Sequence, residues 1–80
     1  MKIYVSNLSH GVQTKDLEKL FVQYGVINSI NIVIDRVTNR SRGFAFVEMA
    51  DREAEKAISE LNGKMLDGRS IRMNKALESR

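Results

Sequence analysis

The sequence predicts an α+β fold in which two helices cover one face of a four-stranded antiparallel sheet and leave the other face to solvent. Three observations carry this expectation. Four stretches alternate apolar with polar residues, the period of a strand with one buried side. Two stretches between them space apolar residues at i, i+3, i+4 and i+7, the period of an amphipathic helix. Their order is βαββαβ, with each strand apolar on one side only, so one layer of helices suffices to complete the core.

The first strand is KIYVSNL, residues 2–8, where Ile3 and Val5 alternate with Lys2, Tyr4 and Ser6. A helix follows, capped by Thr14, with Leu17, Leu20, Phe21 and Tyr24 in its core stripe and Gly25 as a left-handed stop. From Ser29 the period returns to two: Ile30, Ile32 and Ile34 face the core, and Ser29, Asn31 and Val33 face away. DRVTNRS, residues 35–41, has no periodicity and contains Asn39, which tolerates positive φ, so it reads as the loop to an antiparallel third strand, RGFAFVEM, residues 42–49. The second helix is capped by Asp51, carries Ala54, Ala57, Ile58 and Leu61 inward, and ends at Asn62 and Gly63. After the turn signal Asp67-Gly68, a last strand alternates Ile71 and Met73 with Ser70, Arg72 and Asn74. The domain is expected to span 1–76, with 77–80 a short C-terminal tail.

The third strand admits two orientations. Either Gly43, Ala45, Val47 and Met49 face the helices, or Arg42, Phe44, Phe46 and Glu48 do. The second choice buries two charges without an evident partner, at several kcal/mol each, against roughly 1.5–3 kcal/mol gained per large apolar side chain. The small residues therefore go inward. The first strand is oriented by the same balance, because burying Tyr4 would bury Lys2 and Ser6 and expose Ile3 and Val5. Tyr4, Phe44 and Phe46 are thus expected on the uncovered face, with Lys2, Arg42, Arg72 and the amides Asn31 and Asn74 around them. An exposed aromatic patch with a basic rim marks a binding surface, and it suits an unpaired nucleobase that stacks while its phosphate is held by charge. For Arg42 two readings stand: a phosphate contact, or a surface ion pair with a carboxylate such as Glu48.

Composition narrows the alternatives. The chain has 80 residues, enough for one domain with a modest core, and a net charge of +3 from 13 basic and 10 acidic side chains. The first helix is neutral and the second carries −2, so the strands, loops and tail carry +5. Having no cysteine, the chain can hold neither disulfides nor Cys-based zinc sites. It contains neither an apolar run of membrane-spanning length nor a signal peptide, so the default is a soluble intracellular domain, and the two glycosylation-like tripeptides at Asn7 and Asn39 are chance matches. His10 stands apart from any nucleophile or ligand cluster, and Gly63-Lys64 lacks the rest of a P-loop. HGVQ faintly resembles the phosphate-cradling loop of acylphosphatases but lacks the arginine such a loop needs. No catalytic residues, metal or cofactor are expected.

Taken together, these residues resemble the RNA recognition motif over nearly the whole chain. RGFAFVEM matches the longer signature of that family, K/R-G-F/Y-G/A-F-V-x-F/Y, at each specified position but the last, where Met49 replaces an aromatic. IYVSNL, residues 3–8, resembles the shorter signature, and Asn39 stands where related loops often have glycine. The resemblance implies a ferredoxin-like sandwich with strand order 4-1-3-2, which sets the two signature strands side by side. It implies that Tyr4 and Phe46 each stack on a base and that Phe44 lies against sugars. Arg42 would hold a phosphate, while Asn31, Arg72, Asn74 and main-chain groups around Lys75 and Ala76 would read base edges. The partner implied is single-stranded RNA, with single-stranded DNA as a second ligand, bound by a cytoplasmic monomer, or a nuclear one in a eukaryotic source. Post-transcriptional regulation or RNA chaperoning would be the role. Beginning at its first strand and lacking a long tail, the chain is similar to the small single-domain RNA-binding proteins of bacteria. The alternative is a protein-interaction domain on the same fold.

Overall fold

The computed structural model describes residues 1–76; the expected tail, 77–80, lies outside the described residues. In chain order the elements are β1 (Lys2–Ser6), α1 (Thr14–Phe21), β2 (Ile27–Ile34), β3 (Ser41–Met49), α2 (Asp51–Leu61), β4 (Met65–Leu66), β5 (Arg69–Ser70) and β6 (Arg72–Lys75). The main sheet is antiparallel, in the order β2-β3-β1-β6, which is the expected 4-1-3-2 with β6 as the fourth strand. Alternation decides which side is buried: Ile3 and Val5 of β1, Ala45, Val47 and Met49 of β3 and Met73 of β6 are at most 1% exposed. Leu17 and Phe21 of α1 and Ala54, Ala57 and Leu61 of α2 close over them. The small inward residues of β3 let the helices approach the centre of the sheet.

Helix boundaries differ from the expected ones. Gln13, not Thr14, is the N-cap of α1, because the Asp16 carboxylate accepts the Gln13 backbone N–H at 2.8 Å and locks the chain one residue earlier. The helix also ends sooner, at Phe21, so Tyr24 leaves the helical stripe; it half-buries its ring against the core, and its hydroxyl donates to Glu60 at 3.2 Å. Gly25 is not a left-handed stop. Its φ is +155°, and a Cβ there would lie 2.5 Å from Cγ of Glu53, so glycine is needed for the passage of the chain against α2. Similarly, Ala50 is the N-cap of α2, and Asp51 stands in its first turn, where its charge complements the helix dipole.

Two irregularities in the β2–β3 pair shape the open face. Ile27 pairs with Met49 but Ser29 pairs with Glu48, so Asn28 is an extra residue that bulges from β2 and brings Ser29 onto the open side. At the other end Ile32 pairs with Ala45 and Ile34 with Ser41. There β3 carries the excess, at Gly43, whose φ is +88°. Beyond this bulge Ile34 is 45% exposed and borders a cleft beside the start of α1, instead of joining the core as its alternation suggests. The loop 35–40 is held by Asp35, whose carboxylate accepts the amides of Val37 (2.8 Å) and Thr38 (3.1 Å), and Asn39 adopts the expected positive φ of 60°.

Asp67-Gly68 forms a turn with both φ values positive, 51° and 84°, closing the short hairpin β4–β5. That hairpin is tied to the end of β1: the Asn7 side chain donates to the Ser70 carbonyl at 2.8 Å and accepts from Arg69 at 2.7 Å. Asn62 then positions β6 by accepting the Met73 N–H at 2.9 Å.

Candidate nucleic-acid interface

The register across the sheet assembles the open face into rows. One row reads Asn31, Phe46, Tyr4, Asn74 across β2, β3, β1 and β6. A second contains Ser29, Glu48 and Lys2. A third pairs Ser6 with Arg72, next to Phe44 on β3. Neighbouring strands are about 4.8 Å apart and residues on one face recur about every 6.7 Å, so the rows form a grid on the scale of stacked bases.

The three aromatic rings form one patch. Tyr4 lies 5.8 Å from Phe44 and 5.6 Å from Phe46, tilted by 49° and 45°, while Phe44 and Phe46 meet edge to face at 6.4 Å. These separations fall in the favourable range for aromatic pairs, so the rings support one another while remaining half-exposed. The Lys2 ammonium sits 5.7 Å from the Phe46 centroid, a cation held over a π-face. Gly43 makes this placement of β3 possible. Its amide N–H bonds the Ser41 hydroxyl, its carbonyl accepts the Leu8 N–H at 2.9 Å, and a Cβ would stand 3.3 Å from the Leu8 carbonyl oxygen.

The rim residues are distributed unevenly. Asn31, Asn74, Arg42 and Arg72 are exposed, and neither amide side chain makes a hydrogen bond among the described residues. Arg42 does not pair with Glu48. Six residues of extended strand separate them, about 20 Å, which exceeds the combined reach of the two side chains. Glu48 instead accepts from the Ser29 hydroxyl at 3.0 Å, and the one ion pair among the described residues joins the Met1 amino group to Asp51. The carboxylate that feels Arg42 is Asp35. It is held below its usual value mainly by the amides of Thr38 and Val37, with the Arg42 charge adding to them.

Lys75 and Ala76 are placed less favourably. Lys75 pairs with the buried Ile3, so its side chain lies on the helix side of the sheet, near Glu55 and Ser59 of α2. The Ala76 N–H already donates to the Lys2 carbonyl at 2.8 Å. Antiparallel alternation leaves the Lys75 main-chain groups pointing outward from the sheet edge, so those are the backbone groups open to a ligand there. Alternation alone did not reveal Ser29 and Glu48 as a pair on this face, nor the bulge at Asn28 that joins them.

Other surfaces offer less. A cleft of about 510 Å³ beside the start of α1 is lined by His10, Gln13, Ile32 and Arg40 among others and meets the aromatic grid only at Asn31. Among the described residues no group of His, Asp and Glu could hold a metal ion, and no helix is long and apolar enough to cross a membrane.

Known proteins are similar to this chain in sequence and fold. The RNA recognition motif profile matches residues 3–72. The chain is 47% identical over 77 residues to the putative RNA-binding protein RbpD of Nostoc sp., covering 95% of this chain and 82% of that protein. It is 49% identical over 76 residues to the chloroplastic 31 kDa ribonucleoprotein of Nicotiana sylvestris, covering 94% of this chain but only 24% of that one. The crystal structure of RNA Binding Protein PG1 superimposes with a TM-score of 0.92 at 46% identity, covering 100% of this chain and 98% of that one.

Proposed function

The chain belongs to the RNA recognition motif family, and on that footing we propose that it is a non-catalytic module that binds a short run of single-stranded RNA on its open sheet face. The observation that carries this is the patch of Tyr4, Phe44 and Phe46, three mutually supporting rings left uncovered in a small protein whose other large apolar side chains mostly go to the core. Tyr4 and Phe46 each take a base, Phe44 lies against the sugars between them, and Arg42 holds a phosphate. Asn31, Asn74 and Arg72 meet base edges, joined by the outward main-chain groups of Lys75. The names of the two relatives and of the PG1 structure support RNA as the ligand. Stacking is worth roughly 1–3 kcal/mol per base; after association costs, one such domain binds on the order of micromolar. Affinity at that level suits a role in post-transcriptional regulation or RNA chaperoning, where several weak contacts accumulate along a transcript.

Titrating Phe44→Ala and Phe46→Ala with short RNA oligonucleotides tests the reading. A fall of about tenfold or more in affinity, in variants that keep their far-ultraviolet dichroism, is expected. Near-wild-type binding in both folded variants would remove the aromatic patch from the interface and favour a protein-interaction domain. Parallel titration with the matching DNA establishes whether the 2′-hydroxyl contributes.

A further inference from the structure

A carboxylate on a surface meant for a polyanion repels the phosphates around it unless it accepts hydrogen bonds from the ligand. Among the described strand residues of the open face, Lys2, Arg42 and Arg72 are cationic, and Glu48 alone is acidic. It stands one position along β3 from Phe46 on the same face, and its register partner on β1 is Lys2. Although opposite in register, the two make no ion pair: Lys2 extends over the Phe46 ring instead. Glu48 is exposed, so solvent alone could satisfy it, yet it is oriented. The Ser29 hydroxyl donates to Oε1 at 3.0 Å, and Ser29 faces it because of the bulge at Asn28. Oε2 accepts no hydrogen bond among the described residues.

We propose that Glu48 is a specificity-determining residue of the interface and selects guanine for the base that stacks on Phe46. The proposal rests on the stacking reading above and adds to it the identity of one base. A base lying on Phe46 has the oriented carboxylate of Glu48 at one edge and the Lys2 ammonium beside it. Guanine presents two adjacent donors on its Watson–Crick edge, N1–H and the N2 amino group, next to the O6 acceptor. The donors suit the two carboxylate oxygens, and O6 suits Lys2, which leaves the ring face as the base arrives. Adenine and cytosine each set a ring nitrogen acceptor against the carboxylate, and uracil flanks its single N–H with two carbonyls. Those bases leave Glu48 desolvated and unmatched, so discrimination comes from repulsion as well as attraction. Ser29 is a positioning residue: it fixes the rotamer of Glu48 and does not touch the base.

The test uses the full chain and short oligouridine RNAs carrying one central guanine, inosine, adenine, cytosine or uracil, followed by fluorescence anisotropy. Wild type is expected to bind the guanine oligonucleotide about tenfold more tightly than the adenine one, with inosine, which lacks only the N2 amino group, in between. Glu48→Gln should bring the series to near parity while still binding all-uridine RNA, and Ser29→Ala should narrow the preference without abolishing binding. A wild-type series without guanine preference overturns the proposal. So does a Glu48→Gln variant that gains affinity equally for all five, since the carboxylate would then act only as a repulsive charge. Phe46→Ala separates this from the stacking reading: if that folded variant binds every oligonucleotide as wild type does, the stacking platform itself fails, and not merely the choice of base.

Discussion

Arg42 stands at the rim of the open face with no ion pair among the described residues, and Glu48 lies too far along the same strand to neutralise it. Replacing it by alanine should therefore act on the ligand and leave the fold intact. Three cations border the aromatic patch, Lys2, Arg42 and Arg72, and each phosphate neutralised on a single strand contributes about 0.7 to the slope of log affinity against log salt. Of these Arg42 is the one assigned to a phosphate, so Arg42→Ala should flatten the wild-type slope by about 0.7. Arg42→Lys should retain the wild-type slope and lose affinity only modestly, because the charge remains while the two-pronged hydrogen bonding is lost. The assay is a series of RNA titrations at increasing potassium chloride, with thermal unfolding monitored to show that stability is unchanged. Parallel salt lines for wild type and Arg42→Ala would refute the phosphate role and leave Arg42 as a neighbour of Asp35 alone.

Other consequences follow from the geometry. Gly43→Ala introduces a side chain at φ +88° and sets its Cβ 3.3 Å from the Leu8 carbonyl oxygen, so it should cost about 1–3 kcal/mol in urea unfolding; a loss below about 0.5 kcal/mol would mean that the bulge relaxes freely. Asp35 has its pKa lowered in the folded protein, chiefly by the Thr38 and Val37 amides. Its contribution to loop order is thus present above the ordinary aspartate value and is lost as pH falls through the depressed folded value. The amide resonances of Val37 and Thr38, followed down in pH by NMR, should titrate with a midpoint below that of an ordinary aspartate; a midpoint at or above it contradicts the hydrogen bonding described.

Charge and alternation made the aromatic part of the interface legible in the amino-acid sequence. Burying Arg42 and Glu48 is so costly that Phe44 and Phe46 must face outward, and Tyr4 follows from Lys2 and Ser6 by the same reasoning. Asp67-Gly68 was likewise legible as a turn, but two-residue strands are too short to show a period, so the β4–β5 hairpin itself was not. The count from Ser29 put Ser29 on the open side with Asn31, but the bulge at Asn28 was hidden, because it depends on Ile27 pairing with Met49, which periodicity does not show. Gly25 misled for a different reason: its glycine answers to Glu53 of α2, a contact far along the chain, and not to the end of its own helix. Thr14 looked like a cap by residue type, whereas the observed cap depends on the carboxylate of Asp16 reaching back to Gln13. The Arg42–Glu48 pairing was excludable from spacing alone, since six extended residues cannot be bridged. The engaged Ala76 amide was not, because it depends on the register between β6 and β1.

An NMR titration of the isotopically labelled chain with a short single-stranded RNA, reading shift changes residue by residue, tests most directly whether the open sheet face is the binding surface. The largest changes should fall on Tyr4, Phe44 and Phe46 and their row neighbours Asn31 and Asn74, with the exposed sides of α1 and α2 unmoved. Changes concentrated on the helices, or on His10, Gln13 and Arg40 of the cleft beside the start of α1, would contradict binding on the open face.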